Sequence, residues 1–406
     1  MRTLKSQYMS LWYSTGSEFD LKRDKVSLEE KIEYEKKIES FRKNLLKKLK
    51  YIPSKDEEEN FKNEIILEIK NFESSLSPYN NSLIDFFIDN GYGQVTEDFI
   101  EAAEKFDPNM DVMDIFQAIR NVWIMNSIQI LYGMEVKLTP SIFAYSMLYP
   151  YSDNYLDDST ISNEEKIEFN NRFRNWLLGL DDLPINKNEE RIKALVQKIE
   201  KEYNRENYPK VYESLLYIHS AQVESLKQQK GNTIPYEKDI VGISFEKGGA
   251  SVLADGYLVR GELNEEEMYF CFGYGIFLQI IDDLQDIEED LANNHMTILS
   301  QLAKEYPLDK LIDKLFLFIH KFFQNDNIFQ TPDAIRLKQV IKDSSMIMIF
   351  EAISKNKNRF SKDYINKMEH YSLTSFSYLN KMENKFKREF TSEDIIRISK
   401  LFRKTY

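Results

Sequence analysis

Apolar residues recur every three to four positions along most of the chain. From about residue 83 onward this period is nearly continuous and predicts a succession of amphipathic α-helices. Gly-, Pro-, Asn- and Asp-containing breaks fall at "FDPNMD", "GMEVKLTPS", "GLDDLPINKNEE", "QQKGNTIPYEKD", "RGELNEEE", "LANNHMT" and "DNIFQTPD". They divide this part into about eight or more helices of bundle length. Residues 20–74 keep the period but alternate it with Lys and Glu, as in "EEKIEYEKKIESFRKNLLKKL". That pattern describes one or two helices covering something, or an exposed extension. "SLSPYNNS" (75–82) interrupts it and marks the expected boundary. Strand-like alternation bounded by Gly or Asn-Gly is hard to find. The expectation is an all-α protein: a charged N-terminal helical extension over 1–80, then one all-α domain over 81–406.

Two helices are patterned unusually. In "FGYGIFLQIIDDLQDIEEDLANN" (272–294), Phe277, Ile280, Ile281, Leu284, Ile287 and Leu291 form one apolar stripe. Gln279, Asp282, Asp283, Asp286 and Asp290 form another, which runs back into Met268, Phe272, Gly275 and Ile276. A solvated face does not normally continue into Phe and Ile, so these acids are expected at the rim of a buried apolar space, with Gly275 leaving room in its wall. Asp282, Asp286 and Asp290 stand at i, i+4 and i+8, where like charges cost roughly a few tenths of a kcal/mol per pair unless neutralised. The second case is "TPSIFAYSMLYPYSDNYLDDSTIS" (139–162), with Thr139 as N-cap and Pro140 as the first helical residue. A greasy run again ends in acids: Asp153, Asp157 and Asp158. Pro150 is expected to kink or restart the helix before them. Mg²⁺ suits both clusters, because it prefers oxygen ligands and commonly joins carboxylates to a substrate's phosphates.

Composition narrows the field. The 406 residues include 13 Gly and 10 Pro, few for a chain of many turns, and the net charge is −13. That charge argues against a nucleic-acid partner. The one cysteine, Cys271, excludes an intrachain disulfide and fits a reducing compartment. The opening segment lacks the apolar core of a signal peptide, and no apolar run reaches the ~18 residues of a membrane span. A soluble, cytoplasmic protein is the expectation. The four histidines show no metal-ligand spacing.

The second motif resembles the class I isoprenoid synthase superfamily of trans-prenyltransferases, squalene and phytoene synthases and class I terpene cyclases. The prenyltransferase pattern G-x-x-F-Q-x-x-D-D-x-x-D is matched by Gly275, Gln279, Asp282, Asp283 and Asp286, with Leu278 in place of Phe. "EKGGASVLADGYL" resembles the segment carrying a diphosphate-binding lysine, here Lys247; on residues alone, Lys247 reads as a surface lysine, and Gly248–Gly249 either admit a close backbone or break a helix. Asp153 and Asp157 resemble the first motif in its squalene-synthase form.

The resemblance covers residues 110–300. It implies a helical bundle in which Asp153, Asp157, Asp158, Asp282, Asp283, Asp286 and Asp290 bind Mg²⁺, with Asp153, Asp157, Asp282 and Asp286 central to catalysis. Lys247, Gln279, Arg120 and Lys227 would contact the diphosphate. Tyr149, Phe272 and Ile276, with Phe116, Trp123, Phe143 and Tyr145, would wall the prenyl tail, an ordinary core role being the alternative for each. The implied reaction is ionisation of a prenyl diphosphate and cyclisation of the cation, with head-to-head coupling or chain elongation as alternatives and a homodimer as the oligomer. The chain departs from the family in lacking an Arg pair after Asp158, a basic N-terminal counterpart, and an Arg-Tyr dipeptide near its end. A helical lipid binder without chemistry is the reading from another class. A calcium-binding protein is disfavoured by the absent D-x-D-x-D-G loop.

Overall fold

A computed structural model describes residues 2–389, apart from 22–23, 52, 55, 76–85, 88, 159, 230–236 and 325–326. The break expected at 75–82 therefore lies, beyond Ser75, outside the described residues. Those residues form 17 α-helices and no strand, so the protein is all-α.

In order, the helices are α1 (Arg2–Ser14), α2 (Leu28–Leu49), α3 (Glu58–Ser75), α4 (Tyr92–Phe106), α5 (Val112–Leu131), α6 (Pro140–Asp157), α7 (Asn163–Leu177), α8 (Lys187–Glu202) and α9 (Pro209–Ser225). Next come α10 (Ile240–Arg260), α11 (Glu265–Gln285), α12 (Ile287–Ala292), α13 (Ile298–Leu302), α14 (Asp309–Gln324), α15 (Pro332–Lys355), α16 (Lys362–Glu369) and α17 (Phe376–Glu389). Each Gly/Pro/Asn/Asp break read from residue 106 to residue 333 separates two of these helices. None of the helices is long and apolar enough to cross a membrane.

The centre of the bundle is α10. Its sequence is apolar on every side, and such a helix must be surrounded. It packs against α1, α5, α6, α9 and α11. The tightest crossing is with α11. A Cβ added to Gly248 would come within 2.5 Å of the Gln279 Cβ and the Gly275 carbonyl oxygen. Only glycine on both helices allows this approach. The room left by Gly275 is thus filled by α10 itself, not by open space.

Capping follows the sequence. Thr139 accepts from the Ile142 amide at the start of α6, and Asn264 with Glu267 forms a capping box on α11. α6 continues through Pro150 instead of restarting, and runs to Asp157. The N-terminal residues divide in two. α1 belongs to the core: Tyr8 is fully buried and donates to the Tyr269 carbonyl at 2.8 Å, while Trp12 packs edge-on against Phe245 and Phe318. α2 and α3 form a hairpin with its own small cluster of Leu49, Phe61 and Ile65. This hairpin is fastened to the C-terminal helices through Glu35, which accepts from the Ser375 amide at 2.8 Å, and through Glu39, paired with Lys385 at 3.0 Å.

Candidate functional site

α10 and α11 run antiparallel, so the start of α10 meets the end of α11. Gln222, near the end of α9, reaches the end of α6. The two acidic helix ends consequently occupy one end of the bundle. The end of α6 is a helix C-terminus, where the peptide dipoles add negative potential and make unneutralised carboxylates costlier still.

At the end of α11 the backbone bends at Asp286, but the hydrogen-bond ladder passes through the bend. The Asp286 amide donates to the Asp282 carbonyl at 3.1 Å, and the Asp290 amide to the Asp286 carbonyl at 2.8 Å. The stacking expected of Asp282, Asp286 and Asp290 is therefore kept. Asp283 is the buried member: Gln279 Nε2 donates to its Oδ1 at 2.8 Å and Ser244 Oγ to its Oδ2 at 3.3 Å. Burial above all, then the Asp282 charge, pushes Asp283 up to about 7, against the pull of Gln279, Lys247 and Ser244. Asp290 is also pushed up to about 7, first by burial and next by Asp283, with Asp286 and Glu289 adding to it. Asp286 is raised by burial, Asp282 and Glu289, while Lys355 and Arg120 oppose the shift. Four carboxylates thus crowd one helix end with cations only at its edge.

At the end of α6, Asp153 Oδ1 accepts from Gln222 Nε2 at 2.8 Å. The Tyr149 hydroxyl also bonds Asp153, and the phenol is held well above its usual range by burial, then by the Asp153 and Asp282 carboxylates, with Arg120 pulling the other way. One tyrosine therefore feels an acid from each cluster. Arg120 Nη2, on α5, lies 3.5 Å from Asp282 Oδ1. Asp153, Tyr149, Arg120 and Asp282 thus lie along a polar seam from α6 to α11, in contact at Tyr149–Asp153 and at Arg120–Asp282 and coupled between those two pairs by charge alone.

The other sequence candidates are placed as follows. Lys247 lies near enough to Asp283 to act on it electrostatically. Asp158 is exposed and turned into its own loop, where its Oδ1 accepts from the Thr160 amide and hydroxyl at 2.8 and 2.7 Å. Asp157 closes α6, and its side chain lies outside what is described. Lys227 is exposed and paired with Glu224 at 2.6 Å, not with an acid of either cluster. Phe272 and Ile276 are fully buried, and Phe272 stacks between Tyr8 and Tyr217. Phe143 is likewise core, Phe116 packs partly buried against it, and Trp123 is exposed with its indole N–H on Thr96. Tyr145 and Tyr149 do line a cavity beside Asp153, together with Leu148, Leu215 and Ile218. It holds only about 40 Å³, room for a water or two.

Sequence reasoning missed Gln222, Ser244, Lys355 and the pair Asn121–Asp255. Asn121 Nδ2 donates to Asp255 Oδ1 at 3.1 Å, and Asp255, fully buried, is raised well above the carboxylate range by that burial. An acid in the apolar run "SVLADGYLVR" was a visible signal. The three other positions carried none.

The donor set suits a hard cation by chemistry, being carboxylate and amide oxygen. Asp283 and Asp290 are raised to about 7, first by burial and then by neighbouring carboxylates, and a bound divalent ion would oppose both effects. Among the described residues, however, no three acids, histidines or cysteines already converge on one point to hold a metal. No family model, curated protein or solved structure matches the chain.

Proposed function

We propose that the chain is a Mg²⁺-dependent enzyme of the class I isoprenoid synthase type, which ionises a prenyl diphosphate between its two acidic helix ends and cyclises the resulting cation. The observation that supports this reading is the seam: Tyr149 bonds Asp153 on α6 and feels the Asp282 and Arg120 charges, and Arg120 pairs with Asp282 on α11. Two clusters from distant parts of the sequence would then serve one small polyanion. A calcium loop or a solvated surface does not require that meeting.

Asp153, Asp282, Asp283, Asp286 and Asp290 would supply the ligands of the ion. When bound, Mg²⁺ supplies the charge that neutralises a departing diphosphate. Arg120 and Lys247 donate charge-assisted hydrogen bonds to phosphate oxygens. Gln222 fixes the Asp153 carboxylate, and Gln279 and Ser244 fix Asp283. Tyr145 and Tyr149 face the cavity, exclude water and offer ring faces to a cation. The tail needs several times the present 40 Å³, so its entry requires the side chains lining the cavity to move apart. The same small volume argues against a preformed store for lipid. Coupling of two prenyl chains needs more space still, which favours cyclisation.

The test is diphosphate release from geranyl, farnesyl and geranylgeranyl diphosphates, with and without Mg²⁺, and mass spectrometry of the extracted products. Release should require the metal and fall by at least about 10²-fold in Asp282→Ala and in Asp153→Ala. Folded protein that releases nothing from any of the three with Mg²⁺ present would refute the proposal.

A further inference from the structure

His219 lines two spaces: the small cavity beside Asp153 and an open groove of about 510 Å³ between α7 and α9. The groove has the size of an ordinary small-molecule site. Among the described residues its walls carry Lys166 and Arg174 from α7 and no carboxylate, although the chain as a whole has a net charge of −13. Neither cation forms an ion pair among the described residues. Asp158 feels the Lys166 charge but is already occupied by Thr160.

Between the cations stand the Asn171 amide and the Ser220 hydroxyl. Ser220 donates to the Leu216 carbonyl at 2.8 Å and keeps its lone pairs. Ile167, 61 % exposed, and Val223, 38 % exposed, add aliphatic surface that α7 and α9 leave uncovered.

His219 is a built feature of this wall. It is 5 % exposed, lies edge-on to Phe173 with centroids 5.3 Å apart, and bonds the Asn170 backbone through one ring nitrogen. Its Nε2 is buried with no partner. A buried polar atom without a partner costs free energy that a bound hydroxyl or water would recover. Burial, with Arg174 adding to it, lowers the imidazole to about 4, so the ring is neutral near pH 7 and Nε2 offers an acceptor.

We propose that the α7–α9 groove is a second ligand site, separate from the acidic one, for a small anionic amphiphile: a phosphate or carboxylate group held by Lys166 and Arg174, with a short alkyl portion over Ile167 and Val223. Two cations that form no ion pair among the described residues select the anion, and the exposed aliphatics select what it is attached to. The site needs no metal, which separates it from the diphosphate chemistry proposed above and makes the two claims fail independently.

The experiment is calorimetric titration of the full chain, in EDTA, with octyl phosphate, octanoate and inorganic phosphate. At least one amphiphile should bind with one equivalent per chain, about tenfold or more tighter than inorganic phosphate, and Arg174→Ala and Lys166→Ala should each weaken it by about tenfold. Which amphiphile binds tells phosphate from carboxylate. Both substituted side chains reach solvent, so folding should persist, and circular dichroism checks it. The proposal is overturned by binding that ignores both substitutions, by inorganic phosphate binding as tightly as the amphiphiles, or by no binding at all.

Discussion

The ends of α6 and α11 are written alike, a greasy helix followed by aspartates, yet they fold into different electrostatic worlds. At α6, Asp153 is half-buried and satisfied by neutral groups, Gln222 and Tyr149, while Asp158 turns away into its own loop. At α11, Asp282, Asp283, Asp286 and Asp290 are held together, and burial with mutual repulsion raises three of them. For Asp283 the cause lies in α10. Its glycines let it close over α11 near Gly275, and Ser244 and Lys247 are thereby brought down onto Asp283. The end of α6 has no such cover. A sequence motif places the carboxylates, but the neighbouring helix decides which of them lose water.

The most direct way to break that difference is to pry α10 from α11. Gly275→Val puts a branched side chain where the Gly248 backbone already sits, and neither partner is the flexible end of a side chain. The loss of stability should be about 3 kcal/mol or more, read from urea unfolding midpoints. Gly93→Ala on α4, whose Cβ would meet nothing within 4 Å, is the control and should change little. Equal midpoints for wild type and Gly275→Val would mean that the close crossing is not what buries Asp283.

The helices were legible because their signals are local. The stripe of Phe277, Ile280, Ile281, Leu284 and Ile287 is buried as its spacing requires, and Thr139 caps α6 as its position suggests. The acidic stripe was legible for the same reason. What could not be read was anything set by which helix lies beside which. Gly275 spoke equally for a ligand's space and for a neighbour's backbone, and only the position of Gly248 decides between them. Gln222 is 69 residues from Asp153, and nothing in "SAQVESLKQQ" marks it as a partner. Lys227 and Arg120 looked equivalent as cations near the motifs, but Lys227 is held by Glu224 three residues away, and Arg120 faces Asp282.

A second perturbation sharpens the comparison through pH. Asp283 and Asp290 have folded values near 7, above the ordinary carboxylate value, so the native state keeps these protons longer than the unfolded chain does. Their contribution therefore favours folding most at low pH and is lost as pH rises from about 4 through about 7, by up to about 1.4 kcal/mol per pH unit for each group. His219 runs the other way: its folded value of about 4 lies below the usual 6.5, so its contribution is lost as pH falls below about 6.5. Asp283→Asn leaves His219 in place, and the difference between variant and wild type isolates the acid. In EDTA the variant should gain about 1 kcal/mol or more on wild type between pH 5 and pH 7.5. A constant difference across that range would show that Asp283 is not desolvated.

The smallest change in stability should come from the residue that joins the two ends. The Arg120 side chain is 68 % exposed, its partner Asp282 46 %, and they meet as an ion pair at 3.5 Å. An ion pair so open to water contributes about 0–1 kcal/mol, and Arg120→Gln should shift the unfolding midpoint accordingly little. If the seam is there to receive a diphosphate, the same substitution should lower metal-dependent release by about 10- to 100-fold, because the guanidinium would be meeting phosphate oxygens in a drier site than the one it now shares with water. A variant as stable as wild type but slow assigns Arg120 to the chemistry. Stability and release lost together would assign it to the scaffold, and the two acidic ends would then be neighbours without a common task.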